Sequence, residues 1–335
     1  SIDNVIVCIA NDVTTPWIQD AYAIDIVAGT TTQLTQGQGV VSASGNATCL
    51  VIRESTLQTE RATFTVQHKG NSTAIHSLAE TPLVSPQVHI TTVGPRNIPV
   101  AIVTPRDGGT GPLPVLFDPY GGPHAQRVVG SRAAYLSSQW FADQGFVVVI
   151  ADNIGTPGKG SAWERGVHND LAAPVLADQI EVLDALPQLE PRADITRVGI
   201  RGWSFGGYLA ALAVIRHSDR FHAAIAGAPV TDWRLYDTHY TERYLGHPDQ
   251  NPSAYASTSL LTDVSQLSQP LLLVHGLADD NVVAAHTLQL SSALLAAGKS
   301  HEVLPLSGVT HMTPQEEVAE NLLLHQLAFL QRNLA

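Results

Sequence analysis

A serine set among glycines is the first candidate for chemistry: Gly202-Trp203-Ser204-Phe205-Gly206-Gly207. A serine hydroxyl is a poor nucleophile until a histidine takes its proton and a carboxylate orients that histidine. Ahead of the serine, Arg197-Val198-Gly199-Ile200-Arg201 reads as a short apolar strand. Behind it, Tyr208-Leu209-Ala210-Ala211-Leu212-Ala213-Val214-Ile215 forms helix with no breaker. Gly-x-Ser-x-Gly between a strand and a helix is the context of a nucleophile elbow. The turn is tight enough that a Cβ at Gly202 or Gly206 would meet the neighbouring strand or helix. It lifts the Ser204 hydroxyl to a helix N-terminus, whose positive end favours a developing oxyanion. The backbone N–H of Phe205 is then the first oxyanion donor. A surface Gly/Ser turn would need neither the apolar strand entering nor the unbroken helix leaving.

With the serine so presented, the partners follow in the order acid, then histidine. Leu271-Leu272-Leu273-Val274-His275 reads as a later strand, and Gly276-Leu277-Ala278-Asp279-Asp280-Asn281-Val282-Val283 as its loop. Asp279 is the expected acid. Asp280 is the rival, because sequence does not say which carboxylate points inward. The base belongs between the last strand and the last helix, where His311 stands in Ser307-Gly308-Val309-Thr310-His311-Met312. Of the 14 histidines, most must be ordinary. His275 reads as structural at a strand end, and His301 precedes the last strand. A second oxyanion donor belongs in the loop after an early strand, here Asp118-Pro119-Tyr120-Gly121-Gly122-Pro123. Lipases use a backbone N–H there. The Tyr120 hydroxyl could donate instead, the alternative being a tyrosine that only packs.

These residues need a sheet beneath them. Apolar strands alternate with helices from about residue 87 onward: strands at 98–103, 113–118, 146–151, 197–200, 221–226, 271–275 and 302–306, helices at 134–144 and 176–186. That alternation predicts an α/β class chain, a mostly parallel doubly wound sheet covered on both faces. Thr313-Pro314-Gln315-Glu316 reads as a capping box with proline at the first helical position. Residues 1 to about 80 read differently, as short strands with polar turns and no helical period. Their spacing fits propeller blades of about 40–50 residues, about two of them, too few to close. Thr81-Pro82-Leu83-Val84-Ser85-Pro86 reads as a linker. The expected division is a β-rich segment over 1–85 and an α/β-hydrolase catalytic domain over 86–335.

At 335 residues, with 44% hydrophobic residues, the chain can bury a sizeable core. A net charge of −12 without a basic cluster argues against nucleic acid. With lysine only at positions 69, 159 and 299 there is no polybasic membrane patch, and no apolar run predicts a membrane span. No cofactor or metal is expected: no His/Cys group has zinc spacing and no phosphate loop is present. Cys8 and Cys49 are too few for a disulfide scaffold and read as buried thiols. The N-terminus lacks the pattern of a secretory signal, and a start at Ser1 suggests a processed or trimmed chain. A cytoplasmic location is expected. The expected partner is a peptide substrate, with no nucleic acid and no membrane, and a homodimer is one possible assembly.

The elbow with Tyr208, the loop 275–282, and Tyr240-Thr241-Glu242-Arg243-Tyr244-Leu245-Gly246 together resemble the prolyl oligopeptidase family of serine peptidases. The last motif and Ala228-Pro229-Val230-Thr231-Asp232-Trp233 resemble its dipeptidyl peptidase IV branch. The resemblance covers about residues 85–335. It implies Ser204 as nucleophile, Asp279 as acid, His311 as base and the Tyr120 hydroxyl as oxyanion donor. It implies a pocket for the residue before the scissile bond made of Phe205, Val230, Trp233, Tyr236, Tyr240 and Val282, with Asn281 and Tyr120 on the substrate backbone. An aromatic box suits a flat proline ring, although such a cluster is also what a core contains. Two departures stand out. Members of this branch hold the substrate amine with a glutamate pair and an arginine; Arg53, Glu54 and Glu60 form no adjacent glutamate pair, and those roles are not carried over. In Asp152-Asn153-Ile154-Gly155, relatives usually have arginine in place of Ile154. The expected function is a serine peptidase cleaving after proline or alanine, a dipeptidyl aminopeptidase or a fragment of one. The rivals are an acylaminoacyl peptidase or esterase on the same fold, and an inactive scaffold.

Overall fold

The structure, a computed structural model, describes residues 4–46, 48–109 and 111–334. Seven short strands occupy the first part of the chain. β1 (Val5–Ala10), β2 (Asp20–Asp25) and β3 (Thr30–Gln33) form one antiparallel meander. β4 (Val40–Gly45), β5 (Cys49–Ser55), β6 (Thr63–His68) and β7 (Asn71–Ile75) form another. β3 and β7 are exposed along their whole length, so they carry no apolar alternation and sequence periodicity does not predict them. At Lys69-Gly70, φ is +48° and +80°. That is a two-residue hairpin turn, and the strand returns as β7. Cys8 and Cys49 are unpaired and half-buried rather than buried.

From Val88 the chain builds one eight-stranded sheet from β8 (Val88–Val93), β9 (Ile98–Val103), β10 (Leu113–Phe117), β11 (Val147–Ala151), β12 (Ala193–Trp203), β13 (Ala223–Gly227), β14 (Leu271–Gly276) and β15 (Glu302–Leu306). The order across it is β15-β14-β13-β12-β10-β11-β9-β8. The six strands that run across the sheet from β15 to β11 pair in parallel, while β8 and β9 join antiparallel at one edge. β9, β11, β13 and β14 are buried at every residue, as strands covered on both faces must be. Each buried Val, Ile or Leu contributes about 1.5–3 kcal/mol of transfer free energy. This is the α/β-hydrolase fold, preceded by a β-rich partial propeller.

The helices are α1 (Leu136–Asp143), the one-turn α2 (Ser161–Glu164), α3 (Ala173–Leu189), α4 (Phe205–Arg216), α5 (Thr238–Leu245), α6 (Pro252–Thr258), α7 (Ala285–Ala296) and α8 (Glu316–Leu334). α3 and α4 pack into the core on one face of the sheet, α1 and α8 into the core on the other. α4 is buried from Phe205 to Ile215, which explains why it is apolar all round. α8 corrects the sequence reading. Ala319 N–H donates to the Gln315 carbonyl and the helix begins at Glu316, so Pro314 lies before the helix rather than in its first turn.

The first sheets dock on the second part through backbone and small residues. Gly130 N–H donates to the Trp17 carbonyl at 2.7 Å and Arg132 N–H to the Thr56 carbonyl at 3.0 Å. The Ser55 and Ser131 hydroxyls are 2.8 Å apart. A Cβ on Gly39 would lie 2.7 Å from the Gly130 carbonyl oxygen. Trp17 and Leu57 pack against the core beneath α1 and α8.

The closest approach of helix to sheet is at Gly207. A Cβ there would lie 2.2 Å from the Gly227 carbonyl oxygen on β13. Gly207→Ala should therefore force α4 off the sheet and destabilise the chain by about 1–3 kcal/mol, the range for overpacking. Urea unfolding of the two proteins measures it; equal midpoints would mean that α4 is not held that closely.

Candidate active site

Ser204 ends β12 and caps α4 with φ +59° and ψ −118°. The conformation costs an ordinary residue about 1–3 kcal/mol. It is enforced from both sides: Ser204 N–H donates to the Gly227 carbonyl and Tyr208 N–H to the Ser204 carbonyl, both at 2.9 Å. A Cβ on Gly202 would lie 2.3 Å from the Gly206 backbone, and one on Gly206 would lie 2.7 Å from the Pro119 carbonyl oxygen. So β12, α4 and the 118–123 loop meet at van der Waals distance with no room for a methyl group.

The loop after β14 holds both candidate carboxylates. Asp279 is buried and Asp280 exposed. Asp279 Oδ1 accepts the backbone N–H groups of Asn281 and Val282, both at 2.9 Å. Oδ2 lies 2.8 Å from His311 Nδ1. With Nδ1 donating to the carboxylate, Nε2 is left as the acceptor nitrogen. His311 is steadied by Trp203, one residue before the serine, whose indole N–H donates to the His311 carbonyl at 2.6 Å. Among the described residues no hydrogen bond joins Ser204 to His311; catalytic hydrogen bonds are often long without substrate and tighten in its complex.

On the other side of the serine, Gly122 rests on the Phe205 ring, 2.3 Å from where its Cβ would be. The Tyr120 and Phe205 ring centroids are 6.0 Å apart. Burial, helped by the neighbouring Tyr236 and Tyr244, raises the Tyr120 pKa to about 12. The phenol therefore keeps its proton and remains a donor. The four aromatic residues of the expected box come together. Phe205 faces Trp233 at 5.7 Å, Trp233 stacks on Tyr240 at 5.9 Å and 11°, and Tyr236 stands edge-on to both. Val230 and Val282 are buried in the same cluster. The Tyr236 hydroxyl donates to Asn281 Oδ1 at 3.1 Å. Among the described residues there is no group of three or more His, Cys, Asp or Glu able to hold a metal ion.

The profile of the prolyl oligopeptidase family matches residues 133–335. The chain belongs to the prolyl oligopeptidase family. Mouse dipeptidyl peptidase 8 is 41% identical over 227 residues, 66% of this chain and 25% of its own length. Dipeptidyl-aminopeptidase B of Aspergillus niger is 38% identical over 188 residues, 55% of this chain and 21% of its own. The crystal structure of Porphyromonas gingivalis dipeptidyl peptidase 4 superposes with a TM-score of 0.88 at 30% identity, over 98% of this chain and 48% of that one. The chain thus spans about half of that solved relative and a quarter or less of the other two. Among the described residues no helix is long and apolar enough to cross a membrane.

Three sets of contacts around this site were not legible in the sequence. His275 is more than a strand end: its Nε2 lies 2.7 Å from the Val282 carbonyl and 3.5 Å from Asp279 Oδ2, and its Nδ1 lies 2.7 Å from Thr287 Oγ1. The available signal was a histidine four residues before the acid. Tyr244 Oη and His124 Nε2 are 2.8 Å apart, and both rings stand against Tyr240. Ile154, noted above as a departure, packs its side chain over Gly166 and donates its backbone N–H to Asp178 at 2.7 Å. Buried Asp178 is paired with Arg96, between β8 and β9.

His286 lies under the box. Thr231 N–H donates to its Nδ1 at 3.1 Å. Burial, with a smaller push from His275, lowers its pKa to about 4. In the unfolded chain the group titrates near pH 6.5, so between those values the unfolded state binds more protons. Its contribution to stability is complete above about pH 6.5 and is lost as pH falls toward 4. From pH 7 to pH 5 the loss is about 2 kcal/mol for this one group. His286→Gln should flatten the pH dependence by that amount in urea unfolding at the two pH values. An unchanged slope would mean that His286 titrates alike in the folded and unfolded chain.

Proposed function

We propose that this chain is the catalytic portion of a serine dipeptidyl peptidase that cleaves peptides after proline or alanine, with the catalytic domain over 86–335 and a β-rich segment over 1–85. The observation that carries the reading is the convergence on one serine: the Ser204 elbow, the His311–Asp279 pair at 2.8 Å, and an aromatic box that starts at the very next residue, Phe205. Names of the relatives support the substrate class. In this reading Ser204 Oγ attacks the scissile carbonyl as His311 Nε2 takes its proton. Asp279 stabilises the imidazolium that results. The carbonyl oxygen becomes an oxyanion held by Phe205 N–H and the Tyr120 hydroxyl. His311 then passes the proton to the leaving amine, the C–N bond breaks, and an acyl-enzyme remains. Water, deprotonated by His311, attacks the acyl carbon; the ester bond to Ser204 Oγ breaks, His311 returns the proton to Ser204, and the acyl product leaves as the carboxylic acid. Val230, Trp233, Tyr236, Tyr240 and Val282 receive the side chain before the scissile bond, and Asn281 contacts the substrate backbone.

Ser204→Ala should lower kcat by about 10⁴ or more with the fold intact, and Tyr120→Phe by about 10²–10³ with little change in KM. Steady-state kinetics on a dipeptidyl-proline amide measures both. Near-wild-type turnover in Ser204→Ala overturns the nucleophile; an unchanged kcat in Tyr120→Phe reduces that residue to packing.

The box is uncharged, so lysine or arginine before the scissile bond would bury a cation without a carboxylate partner, at a cost of several kcal/mol. Dipeptidyl-proline and dipeptidyl-alanine amides should accordingly exceed their lysine counterpart in kcat/KM by about 10² or more. Short acyl esters cleaved while every dipeptidyl amide is refused would move the reading to an esterase.

A further inference from the structure

The loop that carries Tyr120 is closed by a set of charges that the mechanism above does not use. Asp118 ends β10 and is buried. Its Oδ2 accepts from Arg127 Nη2 at 3.0 Å and from Ser138 Oγ at 3.2 Å. Its Oδ1 faces Arg201 Nε at 3.7 Å. The two guanidinium groups come from different places. Arg127 is at the far end of the loop that holds Tyr120. Arg201 is on β12, three residues before Ser204, and its guanidinium lies over the Phe141 ring, 4.4 Å from the centroid. One carboxylate, two residues before the tyrosine, therefore stands between the strand of the serine and the loop of the tyrosine.

The rest of the loop is fastened to the same end of the sheet. Asp152, buried at the end of β11, accepts Arg127 N–H at 3.0 Å and Val128 N–H at 2.8 Å. Asn153 Nδ2 donates to the Gly121 carbonyl at 2.6 Å, and Gln179 Nε2 donates to Asn153 Oδ1 at 2.7 Å. Gly121 and Gly122 follow Tyr120 directly, so the tyrosine is gripped just before and just after. An oxyanion donor works only within about 2.7–3.1 Å of the oxygen it serves, and misplacement by about 1 Å can cost about 10² in rate.

We propose that Asp118 is a positioning residue for the reaction: by pairing with Arg127 and Arg201 it sets the Tyr120 hydroxyl at a fixed place relative to Ser204. This rests on Tyr120 as oxyanion donor. Asp118 touches no substrate; it acts through the tyrosine. A merely structural carboxylate would affect folding, or would affect activity in the same way whether or not the tyrosine hydroxyl is there.

The test is a double-mutant cycle on the full chain, with kcat and KM on a dipeptidyl-proline amide and the thermal midpoint recorded for each protein. Asp118→Asn keeps the shape and removes the charge. It should lower kcat about 10- to 100-fold, leave KM within about twofold, and change kcat less than about threefold when Tyr120 is already Phe. Arg127→Lys should behave in the same direction, and it decides the matter by the same cycle if Asp118→Asn does not fold. An equal fall in kcat with and without the tyrosine hydroxyl overturns the proposal, as does an unchanged kcat in the folded single variant. A Tyr120→Phe variant with wild-type kcat is a different failure: it removes the oxyanion role itself, and the positioning role with it.

Discussion

The geometry around Ser204 is set by a shortage of space. Four chain segments meet there, in three contacts that exclude a single methyl group: β12 against the start of α4 at Gly202, α4 against β13 at Gly207, and α4 against the 118–123 loop at Gly206. In that crowding the backbone of Ser204 has one way to turn, and it takes the left-handed conformation at φ +59°. The strain is of order 1–3 kcal/mol. It is offset by the burial of α4 from Phe205 to Ile215, where each large apolar side chain contributes about 1.5–3 kcal/mol. A helix so embedded cannot slide or rotate to relax one residue at its N-terminus. The apolar character of α4 on every side is therefore tied to chemistry, since it keeps the serine hydroxyl and the Phe205 N–H in fixed relation.

Beyond the turn, the site works by sharing residues between tasks. Asp279 Oδ1 is occupied by two backbone N–H groups and Oδ2 by His311, so the carboxylate cannot rotate without breaking three hydrogen bonds. Val282 supplies one of those N–H groups, lies beside His275 through its carbonyl, and is buried in the core to which Phe205 and Trp233 also belong. Trp203 holds the His311 backbone while preceding Ser204 in sequence. Phe205 both follows the serine directly and forms one wall of the box. Orientation of the histidine and shape of the box are thus not separable by substitution at Val282 or Phe205. Tyr236 and Tyr240 differ: they reach the box from α5 and the turn before it, and the Tyr236 hydroxyl is bonded to Asn281 rather than to the acid or the base.

The parts legible in the sequence were those with local signatures. The elbow, the strand-end loops and the alternation of apolar strands with helices each depend on residues adjacent in the chain, and the eight-stranded sheet follows from them. The expected pair His311 and Asp279 comes together, and burial separates Asp279 from Asp280. What was not legible depends on partners distant in sequence. β3 and β7 are exposed strands without period, held by a neighbour's backbone alone. The start of α8 moved past Pro314 because the first carbonyl to accept an intrahelical bond is that of Gln315. Arg96 reaches Asp178 across 82 residues, and Arg127 and Arg201 approach Asp118 from two different elements. Charge pairs of that kind leave no spacing to read.

The division of the chain at residue 85 follows the order of elements, but the contacts cross it. The segment 126–132, which continues the loop of Tyr120, is bonded to the first sheets along most of its length: Gln126 Nε2 to the Pro16 carbonyl at 2.8 Å, Gly130 N–H to Trp17, Ser131 to Ser55, Arg132 N–H to Thr56. Gly39 approaches this segment so closely that a Cβ there would collide with the Ser55 and Gly130 carbonyl oxygens. Trp17 and Leu57 join the core beneath α1 and α8. The β-rich segment is therefore one wall of the channel in which this loop runs, and the buried carboxylates of Asp118 and Asp152 are the other. A loop held from only one side would leave its backbone N–H and carbonyl groups on the open side to water, with the freedom that solvated loops have. Held from both, the loop has partners for its backbone on either side, although it contains no regular structure of its own.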